Sequence, residues 1–352
     1  MSGKAGMFSL SQGAACWRAG KVALAGFGLL FSLSAGAADK VRVVATFSVL
    51  GDLVREIGGD NVDLATLVGA NSDAHVFQPS PRDAGAVSKA DLVILNGLGF
   101  EGWIERLLES AHYKGAQVVA TSGIRALKSG EAGHQDEHDD HHDDHASEHK
   151  DHDDHHDDHA SEHKDHADHH GHHHGEWDPH AWHDIDNVVV YVKNIANGLS
   201  EADPANKAEY QKNAQAYIKE LEQLEHEIEH LFDEIPEQQR KVITPHDAFG
   251  YFAHAWHIEF IAPQGNSTES EAAAGDVAKI IRQIREHQIR AVFIENVSDS
   301  RLIEQISRET GAVIGGSLYS DALSASNGPA GTYLKMMRHN AHTLADALNQ
   351  TD

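Results

Sequence analysis

The chain has 352 residues, with 55 acidic side chains against 28 basic ones, a formal net charge of −27 and 29 histidines. Such acidity disfavours nucleic acid as a partner, because a phosphate backbone rewards lysine and arginine. The single cysteine, Cys16, excludes a disulfide framework and a thiolate metal site.

Arg18 and Lys21 precede an apolar run over residues 22–33, and the small residues 34–38 follow. That layout predicts a secretory signal peptide over 1–38, cleaved near Ala37 or Ala38, and a mature protein in a periplasm. The run falls short of the ~20 residues of a membrane span, which disfavours an N-terminal anchor. Cys16 lies ahead of the run and so cannot carry a lipid after the cleavage site. About 314 residues then remain, enough for two domains of ordinary size.

The mature chain opens with a β-branched run at 41–47, followed by a helical pattern through Leu50, Leu53, Val54 and Ile57. Further strands are expected at 62–68, 91–96 and 117–120, with a helix opened by Pro81 and another over 103–111. Strands alternating with helices predict a parallel sheet covered on both faces. This first lobe spans about 39–185.

Within it lies a segment unlike the rest. Two identical copies of HDDHHDDHASEHKD run over 138–151 and 152–165, and a decayed third ends in GHHHG. Seventeen of the histidines fall between His134 and His174, and residues 131–176 hold 17 acidic residues against two lysines. With no apolar side chain larger than alanine, the tract cannot pack a core and is expected as a disordered inserted loop. Imidazoles beside carboxylates suit borderline divalent metals such as zinc. The expected weak accessory sites are His138, His141, His142, His145, His149, His152, His155, His156, His159, His163, His166, His169, His170, His172, His173 and His174. A solvated spacer with adventitious affinity is the plainer reading of the same composition.

After the tract comes a linking helical segment, 186–236. Tyr210, Ala214, Tyr217, Leu221, Leu224, Ile228 and Leu231 are spaced 4, 3, 4, 3, 4, 3, one apolar stripe on a helix near 204–234 that ends at Pro236. A second lobe, 237–352, repeats the first pattern, with strands expected at 241–244, 258–261, 291–294 and 312–314. Its helices are expected near 247–255, 276–287, 299–310 and 329–349. The small, polar segment 263–275 reads as a mobile loop.

In open α/β sheets ligands bind at the carboxyl ends of strands, so metal-capable side chains just after strands are the candidates. His75 and His180 meet that rule in the first lobe, and His246 and Asp321 in the second. Three imidazoles and one carboxylate form a set suited to tetrahedral zinc. His183 is an alternative to His180, three residues on. His226 and His230 have the i, i+4 spacing of a helical metal clip, but they lie off the apolar stripe, which favours a solvated face. His254 and His257 read as packed or capping residues.

The motifs AHVFQPSP around His75, DPHAWHD around His180, TPHDAFGYFA around His246, FIEN around Glu295 and LYSDALS around Asp321 resemble the solute-binding proteins of bacterial metal ABC importers, in particular the zinc receptors. The resemblance covers essentially the whole mature chain. It implies two α/β lobes with mainly parallel sheets joined by one long helix, with Zn2+ as cargo held by His75, His180, His246 and Asp321. Glu295 is then expected behind a ligand imidazole. Manganese members usually carry a glutamate at the third position, where this chain has His246. The implied partners are a membrane permease of an ABC importer and, as a further candidate, a periplasmic zinc metallochaperone, with the receptor a monomer. Three rival readings stand beside this one: a periplasmic zinc buffer uncoupled from import, a manganese or iron receptor of the same fold, and a zinc metalloenzyme. The last needs an open water position and a general base, and no H-E-x-x-H is present, so an enzyme is not expected.

Overall fold

The computed structural model describes residues 40–130 and 176–349, all within one compact unit. The expected signal peptide and every histidine of the tract lie outside them. Valine-rich runs form the first sheet: β1 (Val41–Phe47), β2 (Val62–Val68), β3 (Leu92–Leu95) and β4 (Ala116–Val119), in the order β2-β1-β3-β4. All its pairings are parallel. The crossovers are α1 (Ser48–Gly58), α2 (Pro81–Val87) and α3 (Ile104–Ser110). Pro81 sits in the first turn of α2, which Ser80 and Asp83 close as a reciprocal capping box.

Two helices follow, α4 (Ile185–Ala202) and α5 (Lys207–Asp233), packed against each other. The stripe on α5 is buried as the spacing predicts from Tyr210 to Ile228, but Phe232 takes the last place and Leu231 is only partly covered. At 1.5 Å per residue α5 runs about 40 Å, touching α1 and α4. Gly198 on α4 has no Cβ where one would collide with the Val118 side chain, so the helix lies close against β4.

The second sheet repeats the first topology. It comprises β5 (Lys241–Ile243), β6 (Glu259–Ile261), β7 (Ala291–Glu295) and β8 (Val313–Leu318), in the order β6-β5-β7-β8, again parallel. Its helices are α6 (Gly250–Trp256), α7 (Ala274–His287), α8 (Arg301–Thr310) and α9 (Tyr333–Asn349), the last also packed on α5. The helix expected from residue 247 begins at 250, because His246 and the residues after it form a turn. The last strand reaches residue 318 and not 314. Its register against β7 slips by one residue between Val292 and Phe293, so Gly315 and Gly316 form a bulge rather than an end. Gly316 has φ 150°, and a Cβ on Gly315 would stand 2.8 Å from the Phe293 ring.

Ile243, Ile280, Ile284, Val292, Ile303 and Ile306 build a separate core beneath α7 and α8. The other face of the second sheet joins a continuous apolar core that runs from β1 through α4 and α5 to Leu348 in α9. The two lobes therefore share one core along the linking helix.

Candidate metal centre

His75, His246 and Asp321 lie in the loops that follow β2, β5 and β8, but His180, expected after a strand as well, follows none: it opens the 3-10 turn that leads into α4, beyond an isolated bridge at Trp177. His75 lies in the turn after β2, where the Trp103 indole N–H donates to the Ala74 carbonyl at 2.8 Å and Phe100 packs edge-on at 4.8 Å. His180 opens a 3-10 turn before α4. The preceding Pro179 carbonyl accepts from Asn96 Nδ2 at 2.8 Å, and Asn96 is held in turn by the Tyr191 hydroxyl at 2.6 Å. His246 follows β5 and Asp321 follows β8, three residues beyond the bulged strand.

These four come together. Asp321 Oδ2 is 3.4 Å from His75 Nε2 and 3.2 Å from His246 Nε2, while Oδ1 is 3.5 Å from His180 Nε2. One ligand atom from each lies within 4.8 Å of the others. At zinc bond lengths of about 2.0–2.1 Å, neighbouring corners of a tetrahedron stand roughly 3.3 Å apart, so the carboxylate is already at zinc spacing. His180, His246 and Asp321 are fully buried and His75 is 8% exposed. The Nε2 atoms of all three histidines and both Asp321 oxygens have no hydrogen-bond partner. Leaving five polar atoms unsatisfied would cost several kcal/mol, and a cation at their centre removes that cost. The donor set therefore fits a divalent metal.

Carboxylates stand behind two of the rings. His180 Nδ1 is 2.7 Å from Asp178 Oδ1, and His246 Nδ1 is 2.6 Å from Glu295 Oε2. Each carboxylate fixes its imidazole in the tautomer that turns the Nε2 lone pair toward the centre. The Ser320 hydroxyl donates to Glu295 Oε2 at 2.7 Å, and the Ser320 carbonyl accepts from Trp182 Nε1 at 2.9 Å. Burial opposes charge on both Asp321 and His246, and their neighbours overcome it. Asp321 is held well below the carboxylate range, chiefly by His246, and His246 is held well above the usual histidine range by Glu295 and Asp321. A metal ion bound there would take over the role of that proton.

The other candidates stay apart. His183 donates from Nε2 to the Ser320 carbonyl at 3.1 Å and packs tilted against Phe249 at 4.7 Å, which leaves it a packed core residue. His226 and His230 remain exposed on α5, each beside a carboxylate at 3.5–3.6 Å. His254 is exposed, and His257 ends α6 in a left-handed conformation.

Two residues were not among the candidates, Asp73 and Asp178. Each precedes a candidate histidine by two positions and accepts its backbone N–H, at 2.8 Å for His75 and 3.0 Å for His180. The signal was the repeated Asp-x-His at 73–75 and 178–180, a local side-chain-to-backbone turn.

Residues 43–347 match the sequence model of the family described as ZnuA, zinc-uptake complex component A, periplasmic. The chain is 30% identical over 313 residues to the iron-binding protein YfeA of Yersinia pestis, covering 89% of this chain and 88% of that one. It is 28% identical over 313 residues to the manganese-binding lipoprotein MntA of Halalkalibacterium halodurans, covering 89% and 90%. Among solved structures, the periplasmic zinc-binding protein TroA of Treponema pallidum aligns with a TM-score of 0.72 at 27% identity, covering 88% of this chain and 99% of that chain.

Proposed function

The chain belongs to the periplasmic zinc-uptake component A family, the exported metal-binding receptors of ABC importers and not enzymes, and from that premise we propose that its cargo is Zn2+. His75, His180, His246 and Asp321 supply the four ligands. One observation carries this reading: four buried side chains from two lobes aim unpartnered donor atoms at one point. All four positions are filled by protein, so no place is kept for a catalytic water.

Nitrogen-rich coordination favours zinc over manganese, which prefers oxygen. The relatives named for iron and manganese sustain a second reading, a receptor for one of those ions. Residues 1–38 serve as the export signal in this account. The tract at 131–176 gathers zinc weakly: its acidity raises the local cation concentration, and it is joined in sequence to the turn that carries His180. On composition, each tract site is weaker than the four-residue site, whose side chains the surrounding core holds ready for the ion. The loaded receptor then delivers the ion to a membrane permease.

Competition titration with zinc, manganese and iron tests this on the intact mature protein, a form lacking 131–175, and a form with His75, His180 and His246 changed to alanine. One tight zinc site that survives loss of the tract and vanishes in the triple variant is expected. If removing the tract abolished the tightest site, the ligand assignment would be wrong. Tighter manganese or iron binding would replace zinc as cargo.

A further inference from the structure

The segment 263–275, which reads as a mobile loop in sequence, is tethered to all three histidine-bearing turns. At its root Gln264 pairs with His246 in parallel register and donates its N–H to the Pro245 carbonyl at 3.3 Å. In its middle Asn266 Nδ2 donates to Ser129 Oγ at 3.4 Å. Ser129 belongs to a short antiparallel contact, Lys128 with Trp177, that leads directly into Asp178 and His180. Near its tip the Thr268 hydroxyl donates to Asp73 Oδ2 at 2.6 Å. The other oxygen of Asp73 accepts the N–H of His75 at 2.8 Å. One carboxylate thus joins a loop of the second lobe to the ligand turn of the first.

We propose that Thr268 and Asp73 form a latch over the metal centre and, as positioning residues, set the rate at which the ion leaves. This rests on the reading of the four-residue cluster as a metal site. Three of its members are fully buried, and only His75 has any exposure, so the shortest way out passes the His75 turn. For the ion to escape, that turn must draw away from Asp321, and Asp73 is bonded to the same backbone. The residues of 263–275 are small and polar and contribute no large side chain to either core. With so little apolar burial the loop opens easily, and a single hydroxyl-to-carboxylate bond is a large share of what closes it.

Zinc release from the full mature chain, followed by stopped flow after mixing with excess chelator, tests the latch. The phase to follow is the slow one that the triple alanine variant lacks. Thr268→Val should speed it about tenfold, the factor carried by one such hydrogen bond. Thr268→Ser should restore the wild-type rate, and association should stay within about twofold in both variants. A general weakening of the fold would not be rescued by serine and would not spare association. An unchanged slow phase in Thr268→Val, or a fast one that serine fails to restore, overturns the latch and leaves the metal site standing. A wild-type protein without a slow phase, or a triple variant that keeps it, overturns the site itself.

Discussion

At the scale of the residue, the carboxylates behind the imidazoles decide how well each histidine would serve as a ligand in the proposed zinc site. Asp178 and Glu295 each orient one ring and make its Nε2 a better donor. Removing such a partner typically weakens metal binding 10–100-fold. Asp178→Asn and Glu295→Gln should each lose zinc affinity in that range, read by competition titration, with no change in stoichiometry. His183 makes a different prediction. Burial, reinforced by the nearby His180, pushes its pKa from 6.5 down to about 3. A depressed histidine stabilises the fold above the unfolded value of 6.5, and that contribution is lost as pH falls from 6.5 toward 3. The full span corresponds to roughly 4–5 kcal/mol at 1.36 kcal/mol per unit. His246, raised by Glu295 and Asp321, acts with the opposite sign in the metal-free protein: its contribution is complete below pH 6.5 and fades as pH rises. Urea unfolding of metal-free wild type and His183→Phe across pH 7 to 4 isolates the His183 part, and the substitution should flatten the decline.

At the scale of the element, the bulge in β8 and the stripe on α5 do separate work. The extra residue at Gly315 shifts the register of the rest of β8 against β7, and Asp321 lies three residues beyond the strand's end. A Cβ on Gly316 would meet Thr343 Cγ2 at 2.5 Å, at a φ that L side chains rarely adopt. Gly316→Ala should therefore destabilise by about 1–3 kcal/mol and also weaken zinc binding, because the strand end that presents Asp321 shifts. Leu221 lies fully buried midway along α5. Leu221→Ala should cost about 2–5 kcal/mol in chemical denaturation of the metal-free protein. It touches no ligand, so its zinc release rate should stay near wild type.

At the scale of the whole molecule, the shared core governs how far the lobes move. Beyond α5, further bonds join them: Tyr333 N–H to Asp52 Oδ2 at 2.8 Å, the Tyr333 hydroxyl to the Trp182 carbonyl at 2.8 Å, and Leu323 N–H to Ser48 Oγ at 2.9 Å. A wide hinge would have to part this core, exposing apolar surface at about 25 cal/mol per Å2. Small-angle scattering of the protein lacking 131–175 should thus show nearly the same radius of gyration with and without zinc. The ion should act on stability instead. At free zinc a thousandfold above the dissociation constant, mass action adds about 4.1 kcal/mol, visible as a raised midpoint in thermal unfolding.

Much of this was legible in the chain before any coordinates. Alternating β-branched runs and helical stripes foretold two parallel α/β lobes, because the period of apolar residues is set by local backbone geometry. The long helix was readable from six spacings, and His75, His246 and Asp321 were readable as side chains in loops after strands; His180, read by the same rule, follows no strand and opens a 3-10 turn. Glu295 was expected behind a ligand and stands behind His246. Other features needed the folded molecule. The glycine pair in β8 reads locally as a break, and only pairing with β7 makes it a bulge. Leu231 and Phe232 are both apolar, and only packing chose the second. The role of Asp73 depends on Thr268, 195 positions away. Local propensity and periodicity act within a few residues, so sequence alone could nominate candidate ligands one by one. Their convergence within 4.8 Å, and the bond from Thr268 to Asp73 beside His75, are long-range contacts that tertiary packing alone decides.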